Sequence, residues 1–249
     1  MKPLGHTIIR LTETRSTNLL VMETPTYLDN HGLVVVTPRQ SAGRGRMGRK
    51  FISLPGEQLL FSVVLHPQLP PETLSLLSLV AGVCVADALE AELGVVPELK
   101  WPNDVLIGGR KVCGILVELR HGAERAARVV LGIGINCHGT TEDIPPELRS
   151  VITTLAHETG HPIDTRRLLE AILRQLELRL GALEDGAVTS LLDRWRARAR
   201  LAGRRVLLSE HPQRHLGTVQ ELMPSGALRI RLDSGEMYLH HSGALDWLD

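Results

Sequence analysis

Two apolar runs, 105–107 and 111–119, are separated by the pair Gly108-Gly109. So short a connection forces antiparallel pairing, because a parallel pair needs a crossover of a dozen residues or more. Residues 98–101 before this hairpin and 127–137 after it have the same β-rich texture, and Leu33 to Thr37, stopped by Pro38, and Leu59 to Leu65 read as two further strands. Helices should cover this sheet. Ser16-Thr17-Asn18 is a polar cap that opens a short helix followed by Pro25, and residues 72–93 carry apolar side chains at helical spacing (Leu76, Leu79, Val80, Val83) up to Gly94. Residues 162–183 and 187–202 read as amphipathic helices, the second with an arginine-rich face expected to be solvated. After Gly203 come short alternating segments at 205–209, 216–222, 227–232 and 236–239, the pattern of a small β-barrel. A tail of about fifty residues buries little core alone, so it should dock on the larger part of the chain. The expected division is therefore 1–202 and 203–249.

With 43% apolar residues among 249, a substantial core is available. Lys plus Arg and Asp plus Glu both total 28, which excludes the overall basic surplus of a general nucleic-acid binder. Cys84, Cys113 and Cys137 are odd in number and lack metal-ligand or Cys-x-x-Cys spacing, so they read as buried thiols in a reducing compartment. The N-terminal apolar run is too short for a signal peptide, and no uninterrupted apolar stretch reaches the roughly 18 residues of a membrane span. A cytoplasmic protein without membrane contact is expected.

Against that balance, residues 39–51 place five cations and three glycines in thirteen positions, with no Asp or Glu between Asp29 and Glu57. Glycines let a backbone approach an anion closely, and guanidinium groups make paired, charge-assisted bonds to phosphate or carboxylate. An arriving anion would relieve the local self-repulsion. A solvated basic turn is the alternative reading. Gly43-x-Gly45-x-x-Gly48 formally matches a dinucleotide fingerprint, but residues 50–56 cannot open a helix and position 63 is Val rather than an acid. Arginines and a loop, rather than a helix terminus, must hold the anion.

Two more constellations follow. Lys100-Trp101-Pro102-Asn103-Asp104 fixes an extended turn, and the hairpin returns Lys111 alongside it. Lys111 opens an otherwise apolar strand, where an ammonium is costly unless Asp104 or a bound anion meets it. A lysine ending a hairpin as a solvated cap is the plain alternative. Gly132-Ile133-Gly134-Ile135-Asn136 supplies small residues that suit close approach of a ligand.

In this order, Ser16-Thr17-Asn18, Gly43 to Arg49, Lys100 to Asp104, Lys111 to Glu118 and Gly134-Ile135-Asn136 resemble the corresponding segments of the biotin protein ligases, also called biotin–[acetyl-CoA-carboxylase] synthetases. The resemblance covers nearly the whole chain. It implies an α/β (α+β) fold: a mixed, mostly antiparallel sheet with packed helices, like the class II synthetases, followed by a small C-terminal SH3-like β-barrel. Some members carry an N-terminal DNA-binding winged helix; this chain resembles the enzyme-only class, with no DNA partner. Monomers and dimers both occur in the family, so a homodimer stays open.

The resemblance implies a two-step reaction. Biotin carboxylate attacks the α-phosphate of ATP to give biotinyl-5′-AMP, and a lysine of a biotin carboxyl carrier domain then takes the biotinyl group. Mg²⁺ would accompany the phosphates, with Asp104 as a minor ligand. Lys111, Arg46 and Arg49 are implied as the catalytic cations. Ser16, Thr17, Asn18 and Gln40 would bind the ureido head of biotin, Gly43, Arg44, Gly45 and Arg46 would wrap its carboxylate and the adenylate phosphate, and Gly114 and Leu116 would line its tunnel. Asn103, Asp104 and Asn136, with Arg46, Arg49, Lys111 and Phe51, would serve ATP. Phe51 stands where the family usually has Trp, and the ending Ser242 to Trp247 departs from the usual Gly-Glu-hydrophobic one. The basic loop should be mobile when empty and close over the adenylate. Lipoate or octanoyl transfer, on a similar fold, is the nearest alternative, and a biotin-sensing repressor is the alternative of another class.

Overall fold

The hairpin forms as its turn requires, with φ of 55° at Gly108 and 76° at Gly109. In the computed structural model, which describes residues 2–121, 127–210 and 213–248, the elements of the larger part run β1 (Thr7–Arg10), α1 (Thr17–Glu23), α2 (Pro25–Leu28), β2 (Leu33–Thr37), β3 (Leu59–Leu65), α3 (Leu77–Leu93), β4 (Glu98–Lys100), β5 (Asp104–Ile107), β6 (Arg110–His121), β7 (Ala127–Ile135), α4 (Leu155–Thr159), α5 (Thr165–Glu184) and α6 (Val188–Ala199). Seven strands make one sheet in the order β1-β2-β3-β7-β6-β5-β4. Only β1 and β2 pair in parallel; the other neighbours are antiparallel. The mixed, mostly antiparallel sheet expected from the sequence is present. Its four central neighbours, β3, β7, β6 and β5, present the surface on which the site is built.

The strand at Thr7–Arg10 was not anticipated: four residues, two of them partly buried, carry too weak an alternation to be read locally. It is selected by pairing with β2, residue for residue from Thr7↔Leu33 to Arg10↔Val36. The short helix α4 also escaped the sequence reading, although Thr154 caps it by accepting from His157 N at 3.2 Å and Gly160 ends it with φ of 76°. The helix expected over 72–93 begins instead with a 3₁₀ turn at Pro71–Leu76, and only from Leu77 is it α-helical. Its apolar residues surround the whole helix, because α3 lies between the sheet and α5 and α6, with Leu77, Val80, Val83, Val85 and Leu89 all buried.

Two arginines of α6, Arg196 and Arg198, are not simply solvated as expected, whereas Arg194 is exposed. Arg198 pairs with Asp87 at 2.8 Å and with Glu90, both on α3, while Arg179 of α5 also closes on Asp87. Arg196 donates to the Leu222 carbonyl at 2.6 Å. Partners four score and more residues away turned a polar stripe into the joint between three helices, which periodicity alone could not register.

From Arg205 the chain forms a second, five-stranded antiparallel sheet, β8 (Arg205–Glu210), β9 (Gln213–Leu222), β10 (Leu228–Leu232), β11 (Met237–His240) and β12 (Ala244–Trp247), ordered β11-β10-β9-β8-β12. This is the small C-terminal β module expected; β12 falls in the segment whose sequence diverges. It docks through Trp101, whose buried indole Nε1 donates to the Gly226 carbonyl at 2.9 Å and whose ring lies 5.1 Å from that of His240. Ser75 Oγ adds a bond to the Ser225 carbonyl at 3.0 Å.

All three cysteines are unbridged and buried, and burial pushes their thiols up, that of Cys137 to about 12. Iodoacetamide at pH 8 should therefore label none of them in the native protein and all three in denaturant, as read by intact mass. Asp87→Ala leaves Arg179 without its carboxylate and Arg198 with Glu90 alone, and should lower stability by about 3 kcal/mol in denaturant titration.

Candidate active site

A floor without side chains lies at the middle of the sheet. Gly114 of β6 pairs with Gly134 of β7, and Leu116 with Gly132. A Cβ placed on Gly132 would stand 2.3 Å from Asn18 Oδ1, one on Gly134 2.8 Å from the Phe51 ring, and one on Gly114 3.1 Å from Lys111 Nζ and 3.3 Å from Phe51. Glycine is required there because other groups use the space. The residual cavity between floor and roof is about 30 Å³, lined by Ser16, Thr17, Asn18, Gln40, Arg44 and Phe51 above and by Leu116 and the glycines below.

At the inner end of this groove the cap of α1 forms a polar cluster. Ser16 Oγ accepts from Leu19 N at 3.4 Å, so its capping role is realised. Thr17 donates from N and Oγ1 to Gln40 Oε1 at 2.7 and 3.2 Å. Asn18 Nδ2 donates to Glu118 Oε2 at 2.9 Å and to the Leu116 carbonyl at 3.3 Å. Ser62 Oγ lies 2.7 Å from Thr17 Oγ1 and 2.5 Å from Asn18 Oδ1, fully buried. Ser62 and Glu118 were not among the expected site residues. The signal for Ser62 was present: it is the one hydroxyl in the apolar strand Leu59–Leu65.

The basic segment crosses over the groove as a folded loop. Gly45 N donates to the Arg49 carbonyl at 2.7 Å and Phe51 N to the Gly43 carbonyl at 3.0 Å, around a 3₁₀ turn at Arg46–Gly48. Met47 has φ of 54°, a left-handed position that a non-glycine residue seldom takes. Two of the five charges find carboxylates distant in sequence or outside the segment: Arg44 pairs with Glu118 at 3.0 Å and Arg39 with Glu13 at 3.8 Å. Arg46 points the other way. Burial lowers its pKa and the nearby Asp104 carboxylate acts to raise it, so an arginine is held partly desolvated beside an acid.

That acid forms the centre of the second half of the site. Lys111 Nζ lies 2.6 Å from Asp104 Oδ1 across the β5–β6 hairpin, the contact expected from the sequence. Lys100, on the neighbouring strand, has its pKa lowered by burial, with Asp104 and Asp246 acting to raise it and Lys111 and Arg49 to lower it further. A cavity of about 320 Å³ opens beside this cluster. Lys100, Lys111, Asp104 and Glu98 line one side; Val151, Arg204 and Trp247 line the other. The Arg204 guanidinium stands 4.7 Å over the Trp247 ring. Lys100, Arg204 and Trp247 were not expected; the last two come from the C-terminal region, and only docking brings them to Lys111.

The structure thus gathers Ser16, Thr17, Asn18, Gln40, Arg44, Gly114 and Leu116 on the groove. Gly43 and Gly45 lie in the loop above it, and Arg46, Asp104 and Lys111 lie at its far end, with Arg49 near Lys100. Phe51, expected with the nucleotide residues, is placed in the groove because the loop folds its ring onto the glycine floor. Asn103 and Asn136 are engaged by backbone: Asn103 Nδ2 donates to the Ile115 carbonyl at 2.8 Å, and buried Asn136 donates through Nδ2 to the Thr153 carbonyl at 3.1 Å. Their geometry supports the turns around the site.

Residues 8–136 match the biotin/lipoate A/B protein ligase family. The chain is 39% identical over 148 residues to the bifunctional ligase/repressor BirA of Bacillus spizizenii, covering 59% of this chain and 46% of the relative, so it spans about half the length of that protein. It is 34% identical to the biotin–[acetyl-CoA-carboxylase] ligase of Mycobacterium tuberculosis, over 90% of this chain and 82% of the relative. The biotin protein ligase of Aquifex aeolicus, solved in complex with biotin and ATP, superposes with a TM-score of 0.83 at 30% identity, covering 97% of this chain and 99% of that one.

Gly132→Ala should disrupt the groove from below. With Asn18 fixed by Glu118 and Ser62, the methyl has no free space, and unfolding experiments should show a loss of about 1–3 kcal/mol.

Proposed function

The chain belongs to the biotin/lipoate A/B protein ligase family, and from that premise we propose that it is an ATP-dependent biotin protein ligase. It activates biotin as biotinyl-5′-AMP and passes it to a lysine of a biotin carboxyl carrier domain. The observation that carries this reading is the junction at Lys111, where a glycine-floored groove ending in hydrogen-bonding side chains meets a cavity lined by cations. The Mycobacterium tuberculosis and Aquifex aeolicus relatives are biotin ligases, and the latter holds biotin and ATP.

The reaction needs no enzyme nucleophile. A carboxylate oxygen forms a bond to the α-phosphorus of ATP, the bond to the bridging oxygen breaks, and pyrophosphate leaves in line. Two anions must approach, so the protein's work is electrostatic. Biotin lies in the groove with its ureido head at Ser16, Thr17, Asn18 and Gln40 and its carboxylate toward Lys111 and Arg46. Lys111, exchanging Asp104 for substrate, bridges carboxylate and α-phosphate. In-line departure then directs pyrophosphate away from the groove, into the cavity where Lys100 and Arg204 add positive charge. In the second step a neutral lysine amine of the carrier attacks the anhydride carbonyl and AMP departs.

Because the cavity is small while Phe51 rests on the floor, the loop that carries Phe51, Arg46 and Arg49 must lift to admit biotin and close again to keep water from the anhydride. Among the described residues no cluster of three His, Cys, Asp or Glu side chains could hold a metal ion, so Mg²⁺ would be carried by the phosphates, with Asp104 as one further oxygen donor. Bound there, it would neutralise phosphate charge.

We assign catalysis to residues 1–202 and a docked, cavity-completing role to 203–249. A reducing, cytoplasmic setting suits the three unbridged cysteines. Duplex DNA is not among the partners we propose, given the zero formal net charge. Lipoate is separated from biotin by one assay: ATP–pyrophosphate exchange should require biotin and ignore lipoate, and the converse would move the chain to the other branch of its family.

Lys111→Ala should reduce biotin-dependent exchange by about 10²–10³-fold, and near-normal exchange would remove its bridging role. Arg46→Gly should release free biotinyl-5′-AMP faster than the wild type, seen by chromatography of the quenched reaction; equal release rates would count against closure of the loop.

A further inference from the structure

Lys111 is held by more than its hairpin. At the start of β6, before its pairing with β7 begins at Cys113, its backbone N donates to the Val151 carbonyl at 2.8 Å, and its carbonyl accepts from Thr153 N at 2.9 Å. The strap 150–154 is therefore an extra partner for the strand at the reactive lysine, and through Ser150 and Val151 it also forms a wall of the 320 Å³ cavity. A five-residue strap outside any regular element needs its own anchors. Asn136 Nδ2 bonds the Thr153 carbonyl at 3.1 Å, and Thr154 Oγ1 donates to the Gly139 carbonyl at 2.9 Å. Backbone bonds from Val151 N and Ile152 N to the Leu148 carbonyl, at 2.8 and 2.9 Å, hold its start, and a further anchor is ionic. Glu158 Oε1, on α4, accepts from Thr153 Oγ1 and from Arg110 Nη2, both at 2.6 Å.

Arg110 immediately precedes Lys111, and Thr153 is the residue whose amide bonds Lys111. One carboxylate thus joins the two chains that meet at the lysine, on either side of it. The Glu158 side chain is 15% exposed and that of Arg110 30%, so the pair is shielded well enough for its geometry to be fixed rather than averaged by solvent. Nothing in the fold demands a charged residue there: α4 is already capped by Thr154 and closed by Gly160. A clamp at this place limits how far the Lys111 main chain can move when its ammonium leaves Asp104.

We infer that Glu158 is a positioning residue for adenylate formation, which through Arg110 and Thr153 fixes the main chain of Lys111 and the cavity wall beside it. This rests on the ligase reading above. It adds a residue that touches neither substrate, and it separates the two half-reactions, because only the first uses Lys111 as a bridge between two anions.

The test compares wild type, Glu158→Ala, Glu158→Gln and Thr153→Val. Glu158→Ala should lower kcat for biotin-dependent ATP–pyrophosphate exchange roughly 100-fold, the loss expected for a displacement of about 1 Å. Transfer from supplied biotinyl-5′-AMP to a carrier domain should change less than about twofold. Glu158→Gln, which still accepts from Thr153, should lose less. Hydrogen exchange at the Lys111 and Thr153 amides should quicken by about tenfold in Glu158→Ala and Thr153→Val without a matching rise in the core of β7. Exchange activity near wild type, equal losses in both half-reactions, or unchanged protection of these amides would overturn the inference. Should Glu158→Ala fail to fold, Thr153→Val carries the same measurements. Wild-type protein without exchange activity would remove the ligase reading, and amide protection alone would then decide the clamp.

Discussion

The contact on which the site depends is the ion pair of Lys111 and Asp104 across a two-glycine hairpin. An ammonium at the start of an apolar strand is unfavourable without a counterion, and Asp104 supplies one at 2.6 Å. The pair holds Lys111 Nζ at the edge of the cavity, close to Gly114 on the groove floor. Arg46 and Lys100, each partly desolvated, lie within the field of the same carboxylate. One carboxylate among several cations is an arrangement that an incoming anion can improve, which is the electrostatic condition for binding two acids at once.

The surrounding fold makes room for that exchange. Three glycines bring the sheet surface close to α1 and the basic loop, and their missing side chains are replaced by Asn18, Phe51 and Lys111. The loop spends its flexibility on a left-handed turn and on paired backbone bonds, and Arg44 is occupied by Glu118. It therefore has a defined resting form in which Phe51 fills the space a substrate would need. In the reading proposed above, lifting the loop would move an aromatic ring and two arginines together, linking access to the groove with the charge at its end.

The C-terminal module contributes to the same region. Trp101, inside the motif that carries Asp104, is also the docking residue, bonded to Gly226 and in tilted ring contact with His240. Placement of the module and placement of the Lys100 to Asp104 turn are thus coupled through one indole. The divergent ending, which could not be assigned from sequence, provides Trp247 as a cavity wall with Arg204 over it. Also lining the cavity, the strap 150–154 reaches Lys111 from the chain that leads into α4. Both come from connections and edges, which have weak sequence signatures of their own.

The sequence by itself determined the antiparallel hairpin, the central strands β2, β3, β6 and β7, the long buried helix, the cap at Ser16, the basic loop and the need of Lys111 for an anionic partner, Asp104 being one of those it offered. Each of these depends on local chemistry: turn residues, periodicity, capping oxygens, or a charge too costly to leave alone in a strand. Only tertiary structure decided that β1 is a strand, that Arg198 of α6 joins helices, that Phe51 rests on Gly134 and that Glu118, Ser62 and Arg204 reach the site. The physical reason is the same in every case. These features are set by partners far along the chain, and the energy that fixes them comes from burial and charge pairing that exist only once the sheet, the helices and the C-terminal module have been brought together.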